Sequence, residues 1–250
     1  MAKRRKTSMA SGHGLLERVL TNRARIVDLT YPLSETTQHW PGGVPFRKEL
    51  AADYDKGYRK FTFSMGEDVG THIDAPAHFF RGGLTIDKIP LERLIGPAAV
   101  LDVRRKVARA PDYCLTIEDL QDWEETHGRI PRGSVVILHT GWGSRWQSVD
   151  RYRNMDREGV MHFPGFSGES ATFLLRRREI VGIGIDTLSL DFGGSRDFPA
   201  HQIMLKAGKF QIENLANVGQ LPPSGAVLFA IPLKIVEGPE SEGRVFALVP

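Results

Sequence analysis

The chain is 250 residues and 27.9 kDa, long enough to bury a full core as one large domain or two small ones. Its 41% hydrophobic and 25% charged content is that of a globular protein, which excludes a disordered or fibrous class, and no apolar run reaches the roughly eighteen residues a membrane helix needs. One cysteine, Cys114, excludes an internal disulfide and fits a reducing, cytoplasmic setting; the net charge of +3 comes from Lys3, Arg4, Arg5 and Lys6, without which the body is one unit negative and has no basic face for nucleic acid.

In chain order, residues 1–22 read as a basic tail that contains a short helix over 15–20, and residues 23–250 as the folded domain. Arg25 to Thr30 is an apolar strand, followed by a turn-rich loop, His39-Trp40-Pro41-Gly42-Gly43. Trp40 there is either a core anchor or the aromatic wall of a pocket. Lys60 to Met65 alternates polar and apolar residues, as in a strand with one wet face.

That strand delivers the chain to its most informative stretch, Asp68-Val69-Gly70-Thr71-His72-Ile73-Asp74-Ala75-Pro76-Ala77-His78. Asp68, His72, Asp74 and His78 all carry even numbers, so an extended backbone turns all four to one face. Gly70 and Pro76 argue against a helix. Imidazole and carboxylate together suit zinc, manganese or iron, and the register makes a metal or acid–base site a better reading than a polar loop.

Downstream, 91–94 reads as a helical turn and 98–103 as a buried strand. Thr116 opens a helix with Asp119 in capping-box position and Leu115 stapled to Leu120; the helix ends at His127-Gly128. Residues 134–138 form the clearest buried strand and end at His139-Thr140-Gly141-Trp142, a common rim for a pocket. His139 there is either a substrate contact or a satisfied structural histidine. Residues 144–164 read as a surface excursion, and Ser170 as the cap of a helix to Arg178. A strand over 180–185 ends in Asp186, and a helix over 199–205 carries His201. The finish reads as strands over 226–231 and 233–236, a turn over 237–243 and a last strand over 245–249. No dinucleotide fingerprint, phosphate loop or nucleophile elbow is present.

Gly70-Thr71-His72-x-Asp74-x-Pro76-x-His78 resembles the signature of the cyclase-like metal hydrolases, which include bacterial-type kynurenine formamidases, isatin hydrolases and polyketide cyclases. The likeness extends through Ile26-Val27-Asp28-Leu29 with Pro32-Leu33, Trp40-Pro41-Gly42, Thr140-Gly141-Trp142, Gly182 to Thr187, Pro199-Ala200-His201 and Ile212-Glu213-Asn214-Leu215. It implies an α/β fold, a single-domain mixed sheet with a barrel-like β core and outer helices, that assembles as a homodimer or homotetramer. It implies one or two zinc or manganese ions held by Asp68, His72, Asp74, His78, His201 and Glu213. His78, His201 and Glu213 would also serve the chemistry, with Trp40, Trp142 and His139 against the substrate. The family pattern has histidine where this chain has Asp68, a shorter, harder, negatively charged donor.

The implied activity is metal-assisted hydrolysis of an amide, with an arylformamide such as N-formylkynurenine as the first expected substrate. A cyclic amide such as isatin, or a lactone, is the alternative within the same chemistry, and a metal-binding relative without catalysis is the alternative outside it.

Overall fold

The structure, a computed structural model, describes residues 11–250; the basic run at 3–6 lies outside the described residues. Helix α1 (Ser11–Leu20) precedes β1 (Arg25–Asp28), the hairpin β2 (Arg47–Ala52) and β3 (Lys60–Ser64), and the three-residue β4 (His72–Asp74). Then come β5 (Ile95–Asp102), α2 (Arg104–Val107), β6 (Cys114–Leu115), α3 (Ile117–His127), β7 (Val135–His139), α4 (Val149–Arg153) and β8 (Gly165–Phe166). The chain finishes with α5 (Gly168–Arg178), β9 (Gly182–Ile185), α6 (Pro199–Lys206), β10 (Phe210–Glu213), β11 (Val227–Pro232) and β12 (Glu240–Val249).

Seven strands close into a mixed barrel in the order β12-β11-β5-β7-β9-β10-β4, and β4 returns to β12. Closure depends on the length of β12. Its residues Glu240–Glu242 pair antiparallel with β4, residues 243–248 pair with β11, and residues 246–249 pair with β1. The neighbours β5, β7, β9 and β10 are parallel, with helical crossovers that lie outside the barrel.

Parallel strands covered on both faces need apolar residues at every position, which is why 134–138 carries no alternation. Ala98, Val100, Val135 and Ile137 point into the barrel with Ile73, Ile212, Leu228, Val245 and Ala247. Their neighbours Ala99, Leu101, Val136, Leu138, Ile183 and Ile185 point outward, under Trp123 of α3, Leu174 of α5 and Met204 of α6. On β9 the inward positions are Gly182 and Gly184; a Cβ on Gly184 would stand 2.9 Å from the Leu215 side chain. Glycine there leaves room for the large inward side chains of the next strand.

Several local expectations change. The helix expected at Ser170 starts with Ser167 as its cap, whose hydroxyl accepts the Ser170 N–H at 3.0 Å. Residues 144–164 are no surface excursion, because Trp146, Tyr152 and Phe163 are buried in the outer core. No strand forms over 233–236, and of the turn expected at 237–243 only the first part is outside a strand, since β12 begins at Glu240. The capping box of α3 is present as expected, with Thr116 and Asp119 each accepting the other's backbone N–H. Strand β3 shows its alternation, yet both its faces are exposed in the single chain.

This topology positions the functional face. Ile73 enters the barrel, so His72 and Asp74 must turn outward. In register, Glu213 of β10 stands opposite His72, while Glu242 and Glu240 of β12 stand opposite His72 and Asp74 from the other side. Side chains opposite one another in a sheet share a face, so three adjacent strands crowd imidazole and carboxylate onto one patch.

Candidate metal centre

The period-two register of the central stretch holds only for His72 and Asp74. Gly70 breaks it with φ +72°, where a Cβ would also stand 3.0 Å from Thr37. Pro76–His78 then forms a 3₁₀ turn, so Asp68 and His78 reach the site from loops on either side of β4.

His72 is fully buried, and its Nδ1 lies 2.9 Å from the Gly70 carbonyl. A carbonyl can only accept, so Nδ1 carries the proton and Nε2 is free to act as a ligand. That Nε2 faces Asp74 Oδ1 at 3.5 Å and Glu213 Oε2 at 3.3 Å. His201 repeats the design. Its Nδ1 is 2.6 Å from Asp191 Oδ2, and its Nε2 faces Asp74 Oδ2 at 3.6 Å and Glu213 Oε1 at 3.1 Å. Asp191 also accepts the Ala200 and His201 backbone N–H groups, which locks it to the first turn of α6.

Two donor triads result, His72–Asp74–Glu240 and Asp74–His201–Glu213, each with ligand atoms within 4.8 Å of one another and with Asp74 common to both. Both Asp74 oxygens are buried without a hydrogen-bond partner, a costly state for a carboxylate that a cation relieves. Donors sharing one ion at ~2.0–2.2 Å stand roughly 3.0–3.6 Å apart, the spacing of the four contacts that the two Nε2 atoms make with Asp74 and Glu213. The residues fit a divalent metal.

Electrostatics point the same way. Burial alone would raise the Glu213 carboxyl, yet the hydrogen bonds from His201 and His72 hold it at about 2. Burial would depress His72 and His201, but Glu213 in the first case and Asp191 in the second push both well above the ordinary histidine value. Burial, reinforced by Asp74, lifts Glu240 to about 8, and burial lifts Glu242 to about 7. The face holds more carboxylate than its imidazoles can neutralise.

A cavity of about 280 Å³ opens on these groups, lined by Trp40, Asp68, His72, His78, Phe79, Leu188, Phe198, His201, Glu213 and Glu240. Trp40, Phe79 and Phe198 form an edge-to-face aromatic wall, with ring centroids 6.1 Å apart for Trp40–Phe198 and 5.7 Å for Phe79–Phe198. His78 stands at the wall with Nε2 3.1 Å from Glu240 Oε1 and belongs to neither triad. Asp68 belongs to neither triad either; its Oδ2 accepts the Trp40 backbone N–H at 2.9 Å.

Two expected substrate contacts lie elsewhere. Trp142 is buried in the outer core, donating its Nε1–H to the Tyr152 carbonyl at 2.7 Å. His139 lines a separate cavity of about 440 Å³ with Asp102, Arg104 and Lys106, because β9 and β10 stand between β7 and β4 in the barrel. Glu240, Glu242, Asp191 and Asn214 escaped the sequence reading. Asn214, at φ +55°, donates its side-chain N–H to the Gly70 carbonyl at 2.9 Å, and Tyr152 donates its hydroxyl to Asn214 Oδ1. It therefore steadies the carbonyl that orients His72. Asn214 stood in the Ile212-Glu213-Asn214-Leu215 segment of the family likeness, without a role assigned to it.

The family model described as "Putative cyclase" matches residues 27–192. The chain is 34% identical to an isatin hydrolase of Roseibium aggregatum, over 95% of this chain and 96% of that protein. It is 27% identical to a kynurenine formamidase of Polaromonas naphthalenivorans, over 88% and 89%. Among solved structures, isatin hydrolase A from Ralstonia solanacearum superposes with a TM-score of 0.89 at 34% identity, covering 99% of this chain and 100% of that one. An isatin hydrolase bound to the product analogue thioisatinate does so with 0.89 at 32%, covering 98% and 99%.

Proposed function

The chain belongs to the cyclase family, and on that premise we propose that it is a metal-dependent hydrolase that opens a cyclic aryl amide of the isatin type. The observation that carries the reading is Asp74, buried with both oxygens unpartnered between two imidazoles whose outer nitrogens are already tied. His72, Asp74, His201 and Glu213 would hold the ion. When bound, it supplies a water acidic enough to give hydroxide near neutral pH and polarises the carbonyl under attack.

The chain's own residues do the rest. Trp40, Phe79 and Phe198 stack a flat aromatic ring and keep bulk water from it. In the reaction the ring C–N bond breaks, a C–O bond forms, and the departing nitrogen needs a proton. Burial lowers His78, more than Asp74 raises it, so the ring is neutral near pH 7 and would carry a proton from the attacking water to the departing nitrogen. Asp68, through its bond to the Trp40 N–H, holds the aromatic wall in position.

The higher identity to the isatin hydrolase, 34% against 27%, favours a lactam over N-formylkynurenine as substrate. Manganese suits the oxygen-rich donor set better than zinc. The test is turnover of isatin, N-formylkynurenine and an aryl lactone by the manganese-loaded protein. Isatin opening that a chelator abolishes is the expected result. N-formylkynurenine cleavage without isatin opening would transfer the assignment to a formamidase, and loss of all three would leave a metal-binding protein without catalysis.

We also propose a homo-oligomer. Among the described residues the β2–β3 hairpin pairs with no other strand, and Tyr54, Tyr58 and Phe63 are 72%, 57% and 64% exposed. A lone two-stranded hairpin is marginal in water, and so large an apolar surface fits a second copy. Light scattering should give at least twice the 27.9 kDa chain mass; a monomer would reject the reading.

A further inference from the structure

We propose that Glu240, delivered by the first residue of β12, is a metal ligand of the His72–Asp74 subsite and takes the place of the histidine that this chain lacks at position 68. The inference rests on the metal-hydrolase reading above and adds a residue from a part of the chain outside the signature.

Position 68 is the natural starting point. Asp68 is shorter than histidine, and its Oδ2 is engaged by the Trp40 N–H at 2.9 Å. Gly66 and Gly43 press against it; a Cβ on Gly66 would stand 2.7 Å from Asp68 Oδ1. Its carboxylate lines the cavity but is tied to the Trp40 N–H, and it is absent from both triads.

From the opposite side, β12 puts Glu240 directly across from Asp74. Glu240 forms a triad with His72 and Asp74 whose ligand atoms lie within 4.8 Å of each other, and it lines the same cavity. The independent sign of a cation is Asp74 itself, fully buried, with neither oxygen hydrogen-bonded. Three carboxylates, Asp74, Glu213 and Glu240, then surround two imidazoles, and both triads have one nitrogen and two oxygen donors. Such a set favours a hard divalent ion. The short 3₁₀ turn that carries His78 leaves that ring against Glu240 Oε1 at 3.1 Å, so one carboxylate would both bind the ion and orient the proton carrier.

The experiment measures manganese(II) binding to the full chain by calorimetry and elemental analysis, with the electron paramagnetic resonance spectrum of the bound ion as a second readout. Glu240→Gln is expected to weaken manganese binding by about 100-fold or more and to alter the spectrum. Glu240→Asp, which keeps the charge but shortens the arm, should fall between it and wild type. Asp68→Asn and His78→Gln should keep the ion. Retention of wild-type affinity and spectrum by Glu240→Gln, with loss in Asp68→Asn, would overturn the assignment in favour of Asp68. Equal losses in Glu240→Gln and His78→Gln would overturn it too, since Glu240 would then act through His78. Glu240→Asp carries the measurement if the glutamine variant does not fold. Wild-type protein that binds no manganese or zinc would instead fail the parent reading, a separate and recognisable result.

Discussion

Asp74→Asn should lower turnover by about 10³-fold, a loss of ~4 kcal/mol in transition-state stabilisation, and should erase the rise in melting temperature that manganese gives wild type. Asp74 is the only residue common to both donor triads, so one substitution disables both. Asparagine has nearly the same shape, so packing around position 74 changes little. Its NH₂ group, however, would face an imidazole Nε2 at the distance where a carboxylate oxygen now stands, 3.5 or 3.6 Å. A ligand that binds only the folded state stabilises it by an amount that grows with the logarithm of its concentration over its dissociation constant, so the metal-dependent melting shift reports binding without reference to any substrate. An unchanged shift would remove Asp74 from the centre and the mechanism with it.

Gly165→Val should cost at least about 1–3 kcal/mol in stability and, in whatever fraction folds, weaken metal binding by roughly 10- to 100-fold. The reason is a close approach of two backbones. A Cβ on Gly165 would stand 2.4 Å from the Phe192 nitrogen, 2.5 Å from the Asp191 carbonyl carbon and 2.6 Å from the Leu190 oxygen. Backbone atoms cannot step aside as a flexible side chain can, so the 190–192 segment must move. That segment carries Asp191, the carboxylate that orients His201 and anchors the start of α6. Urea unfolding and manganese calorimetry on the same sample would test both effects. Full stability with normal affinity would show that the contact relaxes freely.

The local motif was legible because its residues are neighbours in the chain. His72 and Asp74 share a face of β4 for the elementary reason that strand side chains alternate, and the Thr116–Asp119 box formed where the spacing put it. The inward and outward apolar positions of β5 and β7 explain why those segments read as continuous hydrophobic runs. His201 and Glu213 were legible only through the family likeness, since their meeting with Asp74 depends on α6 and β10 packing beside β4.

By itself the amino-acid sequence determined which segments become buried strands and capped helices, and which short stretch brings histidine and aspartate together. Tertiary structure alone decided which distant groups join them. Glycine, proline and glutamate around residues 237–243 carry every local mark of a turn, yet barrel closure draws Glu240–Glu242 into β12 beside β4. Likewise Trp142 and His139 follow a strand end that looks like a pocket rim, but β7 delivers them to the outer core and to another cavity. The physical reason is common to both: strand register and barrel closure are set by pairings between segments far apart in the chain, and no local propensity encodes which face those pairings bring together.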